Sequence, residues 1–252
     1  MTKINELISA LPKDSIITTS ALTRSGISNE LINRYVKSGW IERIGKGAYK
    51  FFGAEPDIFS AVKAMQEQLS KSIRIGGITA FAQYSHFYDK EKKYSESVYL
   101  FGRRRERLPE WFLCYNWKER HIYNLLGFLD IEINLFLDEI DHRGMTVKIS
   151  SPELAMFEMT MLINSEQSFY EVYEATERIK VLSPKKIQKL LESSGSVKVN
   201  RLVLFILEEN QNKIFKELDL SEVRLGSGKR SIIKDGLYNS KYKITVPTEL
   251  NY

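Results

Sequence analysis

Residues 15–52 read SIITTSALTRSGISNELINRYVKSGWIERIGKGAYKFF, and the placement of their caps and stops decides the fold of this part of the chain. The hydroxyl-rich start predicts a brief helix around Ala21–Arg24, which Gly26 stops. Ser28 is placed as the N-cap of a following helix and Gly39 as its end. On that helix Leu31, Ile32, Tyr35 and Val36 share one face, and Asn29, Glu30, Asn33, Arg34 and Lys37 share the other. The segment WIERIGKGAYKFF then alternates around a Gly45-Lys46-Gly47 tip, which is a hairpin signature. Upstream, Ile4, Leu7, Ile8 and Leu11 follow helical spacing, and Pro12 ends the run. Three helices and a two-stranded wing make a winged helix-turn-helix over residues 1–53.

Working outward, Ile58, Ala61, Val62, Met65 and Leu69 predict a linking helix over 54–70. Residues 71–252 form a larger domain with a mixed sheet followed by helices. ITAFAQYSHF (78–87) is a helical run, and DKEKKYSE (89–96) is a solvated loop. Strands are expected in SVYLFG (97–102), DIEINLFLDE (130–139) and MTVKIS (145–150). Helices follow from SPELAMFEMTML (151–162), where Ser151 caps, Pro152 opens the first turn and Glu153 faces the helix dipole. EQSFYEVYEATERIK, SPKKIQKLLESSG and VNRLVLFILEEN are further helices, so the chain reads as α+β.

The 252 residues are 43% hydrophobic and 27% charged, which excludes a disordered or fibrous chain. The longest greasy stretch is broken by Asp130 and Glu132, well short of the roughly 18 apolar residues a membrane span needs. No signal peptide is visible at the N-terminus, and one cysteine, Cys114, cannot form an internal disulfide. A cytoplasmic location is expected. The net charge of +5 is unevenly spread: residues 1–53 hold eight basic and four acidic residues, and the remainder is close to neutral. A basic module on a neutral body implies an anionic partner.

Double-stranded DNA is the partner these residues suit. An exposed helix face enters the major groove, where asparagine pairs with adenine and arginine with guanine. Asn29, Asn33, Arg34 and Lys37 lie on that face, with Ser28 at its start, although Glu30 and Arg34 also have the spacing of an i, i+4 ion pair. Arg43, Lys46 and Lys50 on the wing are candidates for phosphates, as are Thr18 and Thr19 before the second helix. The run Arg103-Arg104-Arg105-Glu106-Arg107 and the tail basics Arg224, Lys229, Arg230, Lys234, Lys241 and Lys243 are further phosphate-binding candidates. Glu166, Glu171, Glu174 and Glu177 make one helical run acidic, a face that repels DNA.

Catalytic signals are weak. GSGKR at 226–230 lacks the first glycine of a phosphate loop, and Arg230 replaces its metal-binding hydroxyl. Asp130 and Glu132 would share a strand face without a third carboxylate or a lysine. His86, His121 and His142 lack zinc spacing. Cys114 reads as a small buried residue, and Trp40, Trp111 and Trp117 as packing anchors. No catalytic residue, metal or cofactor is assigned, and the chain is expected not to be an enzyme. The alternative from another class is a nuclease or nucleotidyltransferase targeted by a winged helix.

The stretch LISALPKDSIITTSALTRSGISNELINRYVKSGWIERIGKGAYKF (7–51) and the strand-to-helix join VKISSPELAMFEM (147–159) resemble the AbiEi family, in the same order. That family comprises the antitoxin and transcriptional-repressor half of AbiE-type, or type IV, toxin–antitoxin pairs. The resemblance implies a DNA-reading helix over Asn29–Lys37, a wing over Trp40–Phe51, and repression of the shared operon at inverted repeats. It also implies a C-terminal domain that counteracts a nucleotidyltransferase-like toxin, without dependence on a stable complex.

Overall fold

The structure, a computed structural model, describes residues 3–84, 97–129, 131–179 and 181–248. His86, Asp130 and the lysine-rich 89–96 segment lie outside them. The chain divides into two compact units, one of residues 1–75, 94–125 and 138–149, the other of 76–93, 126–137 and 150–252.

The first unit opens with α1 (Lys3–Ala10), β1 (Ile16–Thr18), α2 (Thr19–Arg24), α3 (Asn29–Lys37) and the hairpin β2 (Ile41–Gly45) and β3 (Ala48–Phe51). Gly26, Gly39 and Gly47 all take the positive φ that a side chain resists, at the two helix stops and the wing tip. Ser28 caps α3 by accepting from the Leu31 amide at 3.3 Å. Ile4, Ile17, Leu22, Ile27, Ile32, Tyr35, Ile41, Tyr49 and Phe51 close over one core. The apolar half of α3 is thus buried and its polar half faces solvent. β1 adds a third strand, antiparallel to β3, with Ile17 opposite Tyr49.

Helix α4 (Ile58–Leu69) is bonded into this module. Its Gln68 accepts from the Thr18 amide and donates to the Ile16 carbonyl, both at 2.7 Å, and so satisfies both groups on β1. Asp57 caps α4 and pairs with His142. β7 (Leu137–His142) and β8 (Met145–Ser150) belong to a five-stranded sheet with β4 (Arg74–Ile75), β5 (Ser97–Arg103) and β6 (Arg120–Leu126), in the order β6-β5-β4-β8-β7. β4 runs antiparallel to β5 and parallel to β8. The wing packs on α6 (Glu110–Cys114): a Cβ on Gly45 would lie 2.7 Å from the Trp111 Cα, so that strand position admits only glycine.

The Asp57 cluster carries a pH dependence. Asp57 Oδ1 accepts from the Ser60 amide at 2.9 Å and hydroxyl at 3.0 Å, and Oδ2 lies 2.6 Å from His142 Nε2. Burial pushes this carboxyl up, but the bonds from His142 and Ser60 outweigh burial and hold it at about 2, below the ordinary 3.8. A carboxyl with a depressed folded pKa stabilises fully above its unfolded value and loses that contribution as pH falls through the folded one. Urea midpoints of the full chain should therefore fall between pH 4 and 2, and Asp57→Asn should flatten that part of the profile. Superimposable profiles for the two proteins would show that Asp57 does not contribute.

The expected strand over 130–139 is corrected. Residues Ile133–Phe136 form a 3-10 turn, and the strand starts only at Leu137. Ile133 and Phe136 are buried three residues apart, whereas Leu135, placed with the inward set by alternation, is 53% exposed. A three-residue repeat of burial fits the 3-10 turn and breaks the two-residue period of a strand.

The second unit comprises α5 (Gly77–Phe81), α7 (Pro152–Leu162), α8 (Glu166–Arg178), α9 (Pro184–Ser193), α10 (Val197–Glu209) and the hairpin β9 (Leu237–Asn239) and β10 (Ile244–Val246). The last four helices share one start signal. Ser151, Ser165, Ser183 and Ser196 each accept from the amide three residues on. Helix α7 is buried nearly all round and forms the centre of the unit with Leu154, Met156, Phe157 and Met159. The fold is α+β, a winged helix-turn-helix followed by a larger part made of a mixed sheet and helices.

Candidate nucleic-acid interface

Asn29, Asn33, Arg34 and Lys37 are all exposed on α3, as their spacing requires. Ser28, which caps the helix, is exposed beside them. The suspected Glu30–Arg34 ion pair does not form among the described residues. The Glu30 carboxyl is instead held below its usual range by the Ser28 hydroxyl and by its own backbone amide. Arg34 therefore projects without a carboxylate partner next to Asn33, one helical turn from Asn29 and Lys37.

On the wing, Lys46 is exposed at the turn. The Gly47 carbonyl accepts from the Thr19 amide at 2.9 Å, which ties the wing tip to the start of α2. Thr19 itself is half-buried beside the turn. Arg43 is exposed, with its guanidinium carbon 5.5 Å from the Tyr49 ring centre and a 3.4 Å contact to the Tyr49 hydroxyl. Tyr49 thereby steadies Arg43 without neutralising it.

Two of the sequence candidates are withdrawn by their own contacts. Thr18 is 1% exposed, and its hydroxyl caps α2 through the Ala21 amide and bonds Ser20. No hydroxyl remains for a phosphate. Lys50 is half-buried, paired with Glu42 at 2.9 Å and donating to the Ala54 carbonyl at 2.7 Å. The register of the hairpin explains the pair, since Glu42 lies directly opposite Lys50.

Other expectations also change. Trp40 is not a core anchor: it is 47% exposed and lines an apolar groove with Ile8, Leu11, Phe51 and Phe52. Cys114 is exposed, not buried. Trp111 and Trp117 do pack, the latter donating to the Phe112 carbonyl at 2.8 Å. His121 sits edge-on to Phe112, and His142 is taken by Asp57. Among the described residues no group of three or more His, Cys, Asp or Glu side chains is placed to hold a metal, and no helix is long and apolar enough to cross a membrane.

A winged helix-turn-helix with a polar, outward face on its third helix has the build of a DNA-binding transcriptional regulator. The chain belongs to the AbiEi family of transcriptional regulators, the antitoxins of type IV toxin–antitoxin systems. Residues 1–87 match the N-terminal domain of the AbiEi antitoxin, and residues 95–247 match the model described as a transcriptional regulator, AbiEi antitoxin of a type IV system. In fold the chain is similar to the crystal structure of the Rv2827c protein from Mycobacterium tuberculosis, with a TM-score of 0.57, 13% identity, and coverage of 96% of this chain and 90% of that one. No curated protein matches the sequence.

Proposed function

We propose that this AbiEi protein represses its own toxin–antitoxin operon by binding inverted repeats in the promoter, and that it counteracts a nucleotidyltransferase-like toxin without catalysing a reaction itself. It acts in the cytoplasm and needs no stable complex with the toxin. The observation that carries the DNA-binding half is the exposed, uncommitted face of α3, formed by Asn29, Asn33, Arg34 and Lys37, next to Lys46 on the wing. In this reading α3 lies in the major groove. Ser28, Thr19, Arg43 and Lys46 meet phosphates on either side.

The division of labour is DNA binding by residues 1–53 and toxin neutralisation by 71–252, with 54–70 linking the two. Residues 1–75 share a compact unit with 94–125 and 138–149. Substitutions on α3 are therefore a cleaner way to separate the activities than deletion of the winged module. A mobility-shift assay of the full chain on its own promoter at two salt concentrations tests the proposal. The expected result is a discrete shift that weakens steeply as salt rises, because each phosphate contact releases counterions. Equal, weak binding to promoter and unrelated DNA would remove the repressor role.

A further inference from the structure

The segment 225–230 in the second unit lacks the spacing of a nucleotide-binding loop, yet its backbone is arranged in an unusual way. Arg201, on α10, is 2% exposed. Its Nε donates to the Leu225 carbonyl at 2.5 Å, its Nη2 to Gly226 at 2.9 Å, and its Nη1 to Gly228 at 2.7 Å and Lys243 at 3.2 Å. Lys243 Nζ takes the remaining loop carbonyl, that of Ser227, at 3.3 Å. Four consecutive carbonyls, 225 to 228, are thus each held by a cation.

No peptide among the described residues is cis. In a trans peptide the N–H points opposite to the C=O. The amides of Gly226, Ser227 and Lys229 therefore point away from Arg201. The loop residues 226–230 are exposed, and these amides have no acceptor among the described residues. The buried guanidinium aligns the peptide dipoles, with their positive ends outward. A side chain at Gly226 would be strained, since its φ is +60° and a Cβ would meet Val197 at 3.2 Å. Arg230 and Lys229 flank the loop, and Lys229 Nζ rests 4.8 Å from the centre of the Tyr238 ring. Outward amides on a glycine-bearing turn, ringed by cations, are the elements of an anion nest.

The geometry points to a second anion site in this protein, formed by the amides of Gly226, Ser227 and Lys229 with the Lys229 and Arg230 side chains, which takes a phosphate group carried by a nucleotide or by a nucleic-acid strand. It is separate from α3 and stands whether or not the winged module binds DNA. Arg201 acts beneath it as a positioning residue, because these four hydrogen bonds all go to backbone carbonyls.

The test is amide NMR of the full, isotope-labelled chain titrated in separate arms with inorganic pyrophosphate, a nucleoside triphosphate and a short single-stranded oligonucleotide. Sodium chloride at matched ionic strength is the control. The expected result is a saturable downfield shift of the 226, 227 and 229 amides in at least one phosphate arm and none with chloride. The arm that saturates first names the source of the phosphate. Lys229→Ala with Arg230→Ala should weaken that binding about tenfold or more, as expected for lost charge-assisted bonds, while leaving the fold intact by circular dichroism. Unmoved loop amides in every arm, or shifts that chloride reproduces, would overturn the site. Undiminished binding by the double variant would overturn the role of its side chains.

Discussion

Replacing Asn33 or Arg34 by alanine should narrow the gap between binding to the promoter and binding to random DNA, whereas Lys46→Ala should weaken both alike. Asn33 and Arg34 are mid-helix and exposed, and their side chains have no partner among the described residues, so their hydrogen-bonding groups are available to base edges. A lost base contact costs about 1–3 kcal/mol at one position of the site. Lys46 is at the tip of the wing beside Gly47, where a compact cation meets phosphate irrespective of sequence. Losing one phosphate contact should lower the salt slope by about one. Lys50→Ala makes an internal control. Its ammonium is already engaged by Glu42 and the Ala54 carbonyl, so its effect should fall on stability more than on affinity. Competition assays on both DNAs at several salt concentrations decide the matter. Parallel losses on promoter and random DNA for Asn33→Ala and Arg34→Ala would take base readout away from this face.

The parts of the winged module that were legible are those whose signals are local. A serine cap, two glycine stops and a two-residue turn each act within a few residues, so α3 and the wing follow from the sequence. What escaped depends on partners distant in the chain. β1 is three residues long and exists because β3 accepts it. The exposure of β6 does not alternate cleanly, and it gains its place from β5. Nothing in the sequence marks Gln68 as the group that completes the edge of β1. The pairing of Lys50 has the same distant character. A plain two-residue turn at Lys46-Gly47 would set Arg43 across from Lys50, and it is the bulge between Arg43 and Gly45 that brings Glu42 there instead.

The join ISSPE shows the same division between local and distant causes. The spacing places a cap at Ser151 and a proline in the first turn, and both are found there. Glu153 does sit in the first turn beside the helix dipole, and it does more there: it is 2% exposed, and its Oε1 accepts from the Ser183 amide at 2.7 Å while Oε2 accepts from the Ser151 hydroxyl at 2.8 Å. The carboxylate thus holds the start of α9 against the start of α7. A strand-to-helix motif that reads as local punctuation is also a long-range clamp, and only the tertiary partner 30 residues away reveals it.

Glu158→Ala should be among the most destabilising single substitutions in this chain, at about 3–5 kcal/mol. Glu158 lies on α7 and is fully buried. One carboxylate oxygen accepts from the Gly77 amide at 2.7 Å and the other from the Ser150 hydroxyl at 3.0 Å. The first bond matters because the N-cap of α5 is Gly76, a residue with no side chain to cap the helix. Glu158 supplies from another helix the acceptor that a serine supplies locally at α7, α8, α9 and α10. Alanine would strand the buried Gly77 amide, at about 1–3 kcal/mol, take one partner from the buried Ser150 hydroxyl, and leave a cavity besides. Glu158→Gln keeps one carbonyl oxygen and nearly the same volume, so its cost should be clearly smaller. Urea unfolding of the three full-length proteins at one pH makes the comparison. A loss below about 1 kcal/mol for the alanine variant, the level of an ordinary surface change, would mean that α5 is held by packing alone.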